Sequence, residues 1–401
     1  MGIRKIYEES QFANQKELEK MSLDKLRSEI DKIDDELVKL FQQRMEVVKQ
    51  VSNHKKENNL PTLDRGREEA KMLSLAKKLP DELSAYIYPL YDTLFEISRN
   101  YQHQHSENHS PLYHEIKQAI ENTPKMLKEN PVVACQGIEG AYSQLATRKL
   151  FKHPDVQYFT TFEGVFSAIE NGFCEYGVLP LENSTAGSVN EVYRLLQAHD
   201  FKIVKSMRLK VDHNLAAKNG VEMADIKEII SHPQALAQCS KLIEQLGKEI
   251  KITACENTAL AAKMVATSDR DDLAAICSHH SVAQYGLKCL AQDIQDQTNN
   301  YTRFICIAKN LEIYPGADKT SIMAIVPHTP GALYKVLARF HSLGINLQKL
   351  ESRPIPDKDF QFKFYFDLET SIYSEEFAIL MDSLDEICQE FKYLGSYLEV
   401  V

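Results

Sequence analysis

No apolar run in the 401-residue sequence approaches the ~18 residues that a membrane-spanning helix needs, and mean hydropathy is −0.36, so a transmembrane helix is excluded. Positive charge is not in excess: 47 Lys and Arg stand against 57 Asp and Glu, which argues against non-specific nucleic-acid binding. An anionic small molecule stays admissible, because a site needs only local positive charge. None of the eight cysteines (Cys135, Cys174, Cys239, Cys255, Cys277, Cys289, Cys306 and Cys388) forms a CxxC pair, so a zinc site of paired thiols is not expected. Dispersed thiols in a long chain read as a reduced cytoplasmic protein. The first twenty residues hold no apolar segment of secretory-signal type, and Ile6 stands where a myristoylation motif after Gly2 requires Ser or Thr. What is present, 43% hydrophobic and 26% charged residues, is the composition of a folded protein, and ~150 residues per domain gives two or three domains.

Residues 22–104 read as helix. Leu23, Leu26, Ile30, Ile33, Leu37, Leu40, Val47 and Val51 recur at steps of three and four, and nothing breaks the pattern before Pro61. Ser22 is a candidate cap, and a helix over 22–58 is ~55 Å long at 1.5 Å per residue. That exceeds the span of a compact domain of this size, so the apolar stripe needs a partner chain. A second helix is expected over Asp64–Leu79. A third is expected over Asp81–Gln104, with a kink at Pro89. Residues 1–21 read as a tail.

Residues 105–130 read as a polar linker with a short helix. His103, His105, His109 and His114 cluster there without a convergent Cys or carboxylate pattern, so no metal and no other cofactor is expected. Residues 131–311 alternate helical patterns with candidate strands at Val132–Cys135, Tyr176–Leu181, Ile203–Leu209, Ile226–Ser231, Leu273–Cys277 and Phe304–Lys309, an α/β pattern large enough for two lobes. Residues 319–401 give strand (Thr320–Val326), helix (Gly331–Leu343), two strands (Asn346–Ser352, Phe360–Leu368), helix (Glu375–Cys388) and strand (Tyr397–Val400). That βαββαβ order is an α+β, ferredoxin-like unit.

Cations sit on apolar stripes in the helical block. Arg44 falls between Leu40 and Val47, and Lys55, eleven residues on, lies about 20° from it round the helix. Burying a cation without a partner costs several kcal/mol, so this pair either snorkels to water or faces an anionic ligand. Asp64, Arg67 and Glu68 gather at the start of the second helix, and Ser98 and Gln102 lie four apart on the stripe of the third. With Arg27 and Pro61, these residues resemble the all-helical chorismate mutase family. The resemblance implies that Arg27, Arg44 and Arg67 hold the two substrate carboxylates, that Lys55 and Gln102 face the ether oxygen, and that Asp64, Glu68 and Ser98 complete the pocket. It implies that Arg27 comes from the partner subunit of an intertwined dimer or larger homo-oligomer. A Claisen rearrangement needs a held conformer and stabilised charge on the ether oxygen, and no proton transfer. The block carries 14 Lys and Arg against 15 Asp and Glu, so its cations are placed locally and do not form a basic field.

Three junctions of the α/β block end a strand in small polar residues and begin a helix, where ligands of α/β proteins bind; capping is the alternative for any one of them. Gly137 to Ser143, Pro180 to Ser184, Ser231 to Gln234 and Asn300 to Phe304, in that order, resemble prephenate dehydratase, whose fold is two α/β lobes like a type 2 periplasmic binding protein. The resemblance implies Thr302 as the catalytic residue, with Glu182, Asn183, Ser231 and Gln238 lining the site and Ser143, Ser184 and Arg303 close by. A structural ion pair is the alternative for Arg303. Either Thr302 assists departure of hydroxide, or Glu182 donates a proton to it.

Gly331-Ala332-Leu333 and Glu351-Ser352-Arg353-Pro354 resemble the ACT domain of phenylalanine-regulated dehydratases, which implies that these residues bind phenylalanine as an effector. Together the three resemblances imply a bifunctional isomerase and hydro-lyase of phenylalanine biosynthesis, acting on chorismate and prephenate. Two other readings are an amino-acid sensor without chemistry and a dehydratase whose helices only dimerise.

Overall fold

A single helix of 35 residues, α1 (Leu23–Glu57), opens the computed structural model, which describes residues 23–58, 60–104, 109–355 and 361–401. The candidate cap Ser22 and His105 lie outside the described residues. Within this chain the apolar stripe of α1 stays in water: Ile33, Leu37 and Leu40 are each more than half exposed. Beside it lie α2 (Arg65–Ala76), α3 (Asp81–Ser84) and α4 (Ile87–Gln104). Asp64 caps α2 by accepting from the Arg67 backbone N–H at 2.9 Å. The helix expected over Asp81–Gln104 is broken at Ala85 and Tyr86, ahead of Pro89. Pro89 falls in the first turn of α4, where its missing N–H leaves no intrahelical bond unmade.

Contacts divide the fold at residue 108 into this helical unit and a second, larger one. The second begins with α5 (Pro111–Asn122), capped by Ser110 and anchored by Asp382, which accepts from the Ser110 N–H at 2.7 Å and meets His109 Nδ1 at 2.7 Å. The short helix of the expected linker is present, but Ile116 and Ala119 bury its apolar face in the C-terminal core, so it is packed and not solvated.

The chain then builds β1 (Val132–Gln136), α6 (Tyr142–Leu150), β2 (Asp155–Phe159), α7 (Phe162–Glu170), β3 (Tyr176–Asn183), β4 (Gly187–Ser188), α8 (Asn190–Ala198) and β5 (Lys202–Lys210) of a first lobe. It crosses to a second lobe of β6 (Asn214–Ala217), β7 (Glu228–Ser231), α9 (Pro233–Gln238), α10 (Ser240–Leu246), β8 (Lys251–Ala254), α11 (Thr258–Thr267), β9 (Leu273–Cys277), α12 (His279–Gln284) and β10 (Lys288–Ala291). It returns through β11 (Tyr301–Ala308). The strand orders are β5-β11-β3-β1-β2, with β4 on β3 and the short strand Glu399–Val400 outside β5, and β10-β6-β9-β7-β8. β11 begins three residues before the expected Phe304, which brings Thr302 and Arg303 into the sheet opposite Asn183 and Glu182.

Residues 319–401 form β12 (Lys319–Ile325), α13 (Ala332–Ser342), β13 (Asn346–Pro354), β14 (Phe362–Glu369), α14 (Glu375–Ile387) and β15 (Glu390–Tyr397), an antiparallel sheet in the order β13-β14-β12-β15. The βαββαβ order holds, but its last strand ends where the sequence reading starts it. Beyond Tyr397, β16 (Glu399–Val400) leaves this sheet and pairs with β5 of the first lobe. Alternation puts Ile322, Ala324 and Phe366 under α13, α14 and α5, and Met323, Ile325, Tyr365 and Leu394 against Phe166, Val192 and Tyr193 of the first lobe. The strands β12, β14 and β15 are therefore mostly buried on both faces, and the edge strand β13 is open on one. At the join Gly395 has φ +137°, and a Cβ there would lie 2.2 Å from the Ile203 carbonyl oxygen, so no larger residue permits this approach.

Candidate active sites

In the helical unit, Arg44 of α1 donates to Ser98 Oγ of α4, its guanidinium 5.9 Å from the Phe95 ring centroid. Ser98 in turn donates to the Leu94 carbonyl at 2.5 Å. Burial lowers the Arg44 pKa, against the opposing pull of Tyr91 and Glu68, and among the described residues no carboxylate lies in ion-pair contact with it. Lys55 donates to the Thr62 carbonyl at 2.6 Å, on the loop that leads into Asp64. Gln102 presents a buried Oε1 that no described group satisfies. Glu68 accepts from Arg99, a residue absent from the sequence reading. Arg99 is only 7% exposed and also bonds Glu96. The argument that singled out Arg44, a cation on an apolar stripe, finds Arg99 as well.

Two expected members stand apart. Arg67 is exposed, and its backbone N–H donates to Asp64. Arg27 is 66% exposed beside Asp24, and seventeen residues of helix put it about 25 Å along α1 from Arg44. No rotamer spans that distance, so within one chain Arg27 cannot meet a ligand at Arg44.

In the second unit the carboxyl end of β3 faces the start of β11. Asn183 Nδ2 donates to Thr302 Oγ1 at 2.9 Å and to Asn300 Oδ1 at 2.8 Å. Asn300 Nδ2 donates to Gln238 Oε1 at 3.0 Å, Gln238 Nε2 to Thr185 Oγ1 at 2.6 Å, and Thr185 Oγ1 to Asn183 Oδ1 at 2.7 Å. Four side chains thus close a ring, three from the first lobe and Gln238 from the second. His213 Nε2 lies 2.9 Å from Gln238 Oε1. Burial lowers the His213 pKa, against the bond to Gln238 and the charge of Asp212, so the neutral ring donates here. Thr185, Gln234, Gln238, Gln295 and Asn300 line the cleft between the lobes.

Adjacent residues of a strand point to opposite faces, and Glu182 and Arg303 turn away from Asn183 and Thr302 toward the C-terminal sheet. Arg303 donates to Glu182 Oε1 at 3.1 Å, to Asp367 Oδ2 and Tyr397 Oη at 2.5 Å each, and to Ser206 Oγ, with Glu399 Oε2 at 3.1 Å. Burial works against an ionised Asp367, yet Arg303, the Ser321 hydroxyl and Lys349 prevail and hold its pKa below the usual carboxylate range. The other oxygen of Glu182 accepts from Lys349 of β13. Both oxygens are therefore occupied by cations.

Ser231 donates to the Ile276 carbonyl at 2.6 Å, so its hydroxyl is committed to the neighbouring strand. Ser184 Oγ donates to the Asn299 carbonyl and accepts from the Tyr301 N–H, both at 2.9 Å, which fixes the β3–β11 junction. Ser143 is buried in the first turn of α6. Gly331 caps α13 at φ +79°, with Ala332 buried and Leu333 half-buried behind it. On β13, Glu351 accepts from Ser188 at 2.9 Å and pairs with Arg353 at 2.9 Å, and Arg353 donates to Asn190. Ser352 and Pro354 face outward. Among the described residues no three His, Cys, Asp or Glu converge as a metal site, no helix is long and apolar enough to cross a membrane, and all eight cysteines are free thiols.

These two constellations have counterparts in known proteins. Residues 26–103 match the family described as chorismate mutase type II, and residues 133–312 match prephenate dehydratase. The bifunctional chorismate mutase/prephenate dehydratase of Aquifex aeolicus (strain VF5) is 32% identical over 94% of this chain and 97% of its own length. The chloroplastic arogenate dehydratase/prephenate dehydratase 2 of Arabidopsis thaliana is 37% identical over 71% of this chain and 80% of its own. The crystal structure of the prephenate dehydratase of Arthrobacter aurescens in complex with L-Phe superposes with a TM-score of 0.61 at 28% identity, over 66% of this chain and 89% of that one. With the mutase matched in its helices, the dehydratase in its two lobes, and both joined in one relative over nearly the full length, the chain belongs to the bifunctional chorismate mutase/prephenate dehydratase family.

Proposed function

We propose that the helical unit rearranges chorismate to prephenate at Arg44, that the cleft beside Thr302 converts prephenate to phenylpyruvate, and that residues 319–401 are an ACT domain through which phenylalanine inhibits the second step. Arg44 is a half-buried cation without a carboxylate partner among the described residues, which suits an anionic substrate. Lys55 and Gln102 stabilise charge developing on the ether oxygen, Asp64, Glu68 and Ser98 shape the pocket, and Arg67 and the partner's copy of Arg27 close on the carboxylates. The exposed stripe of α1 supports that intertwined dimer.

The dehydration expels the ring carboxylate as CO2 and the 4-hydroxyl as water, so one proton must reach the departing oxygen. The observation that carries the assignment is the bond from Asn183 to Thr302. Because Thr302 Oγ1 accepts there, its own O–H proton is left to point at the substrate hydroxyl. Glu182 has cations on both oxygens and suits an anchoring role better than proton donation. Asn183 and Gln238 orient the substrate, Ser143, Ser184 and Ser231 hold the surrounding turns, and Arg303 braces the strand behind Thr302. Free thiols and the absence of a membrane helix among the described residues fit work in the cytoplasm. Gly331 to Leu333 and Glu351 to Pro354 form the effector site. The relative that carries L-Phe supports this reading.

The test is the purified chain with chorismate. Wild type forms prephenate and then phenylpyruvate. Thr302→Ala forms prephenate at the wild-type rate and accumulates it, with dehydration slowed about 10²-fold or more. Near-normal phenylpyruvate from that variant removes Thr302 from the mechanism.

A further inference from the structure

The edge strand β13 changes register between Leu347 and Lys349, and beyond that point it alternates: Lys349, Glu351 and Arg353 reach the first lobe, and Leu350, Ser352 and Pro354 between and after them are exposed. Lys349, only 17% exposed, directs its hydrogen bonds to that lobe, with Glu351 of its own strand 4.0 Å away. Its ammonium donates to Glu182 Oε2 on β3, to Ser188 Oγ on β4 at 3.2 Å and to Tyr193 Oη on α8 at 2.8 Å. A lysine has three protons to give, and these three acceptors take them all. The three acceptors lie on consecutive elements, and the turn between the first two carries Asn183 and Thr185, two members of the ring that orients Thr302. One cation of the C-terminal sheet thus pins the β3–β4 hairpin from behind. Two residues further along the same face, Glu351 holds Ser188 as well.

We propose that Lys349 is a positioning residue of the dehydratase. Its ammonium fixes Glu182 and the β3–β4 turn so that Asn183 and Thr302 meet the substrate in register, and a ligand that shifts β13 acts on dehydration through this contact. The second half of the statement rests on the effector reading of Glu351 to Pro354 given above; the first half does not. An effector can move this equilibrium only if it binds two positions of β13 differently. The Lys349–Glu182 contact supplies an element whose geometry such a shift would alter.

The experiment uses full-length wild type, Lys349→Met and Lys349→Arg, with the mutase reaction of each chain as an internal control. With prephenate supplied, Lys349→Met lowers dehydratase kcat about tenfold or more, because small misplacements of catalytic groups are costly. KM stays within about threefold, since the substrate-contacting groups are all present. Lys349→Arg, which keeps charge and reach, recovers most of the loss. Calorimetry with L-phenylalanine finds binding retained in Lys349→Met while the residual turnover no longer responds to it. Wild-type kcat in Lys349→Met overturns the proposal. So does a loss shared by the mutase reaction and not recovered by Lys349→Arg, which marks a folding defect. If wild type itself fails to bind phenylalanine, the effector reading falls, while a kcat loss rescued by arginine still upholds the positioning role.

Discussion

Arg44 and Arg303 are both cations placed among apolar neighbours, one in each unit, and the chain treats them differently. Arg303 has Glu182, Asp367, Glu399, Tyr397 and Ser206 around it, all from its own chain. Arg44 has one hydroxyl, Ser98, and no carboxylate in contact among the described residues. The contrast extends outward. The inner strands of the C-terminal sheet are covered on both faces by their own chain, whereas the long apolar stripe of α1 meets water. A satisfied buried ion holds a structure in one arrangement. An unsatisfied one, beside an uncovered apolar face, is what the second chain and the anionic ligand of the proposed function would complete.

Paired substitutions break that comparison most sharply. Arg303→Met leaves Asp367 buried without its cation and should destabilise the second unit by about 3–5 kcal/mol, lowering its urea midpoint and removing dehydration. Arg44→Met replaces a half-buried unpaired cation with an apolar side chain of similar length. It should change the stability of the helical unit by no more than about 1 kcal/mol while abolishing mutase activity. Equal destabilisation by both substitutions would show that Arg44 is as structurally engaged as Arg303.

A smaller effect comes from His213, which is buried and neutral. Its folded pKa is lowered, so below about pH 6.5 the unfolded chain takes up a proton that the folded chain still refuses. Stability is therefore unaffected above that pH and falls as pH drops through it toward the lower folded value. His213→Gln keeps a donor toward Gln238 without a titrating ring. Urea titrations at pH 7 and pH 5 should show a smaller acid loss for this variant than for wild type. An unchanged loss would place the acid sensitivity elsewhere.

The sequence displayed what depends on local pattern. The 3.6-residue period defined α1 to within a residue at each end, and all six proposed α/β strands overlap the observed ones by most of their length. It concealed what depends on partners far along the chain. The strands β2 and β8 are short, carry Asp155, Gln157 and Lys251, and lie at sheet edges, where solvated side chains hide the alternation. The last strand of the C-terminal sheet was misplaced because Gly395 interrupts its pattern, and that glycine is explained only by the backbone of Ile203, almost two hundred residues away. Nothing in the sequence singles out Lys349 and Asp367, whose roles show only once Glu182 and Arg303 stand opposite them. The ring through Asn300 and Thr185 likewise needs both lobes in place before its members can be seen as one unit.

The most direct test of the contrast is subunit complementation of the mutase. Arg27 and Arg44 lie too far apart on α1 to serve one site from one chain, so under the proposed function each site draws Arg27 from one subunit and Arg44 from the other. Arg27→Ala and Arg44→Ala chains are each assayed alone, then mixed, unfolded and refolded together. Alone, each should retain little mutase activity and full dehydratase activity on supplied prephenate. Mixed in equal amounts, half the dimers are hybrids with one intact site each, so mutase activity should return to about a quarter of wild type. No recovery on mixing, with dehydratase intact, would contradict a shared mutase site and with it the account of the helical unit as incomplete alone.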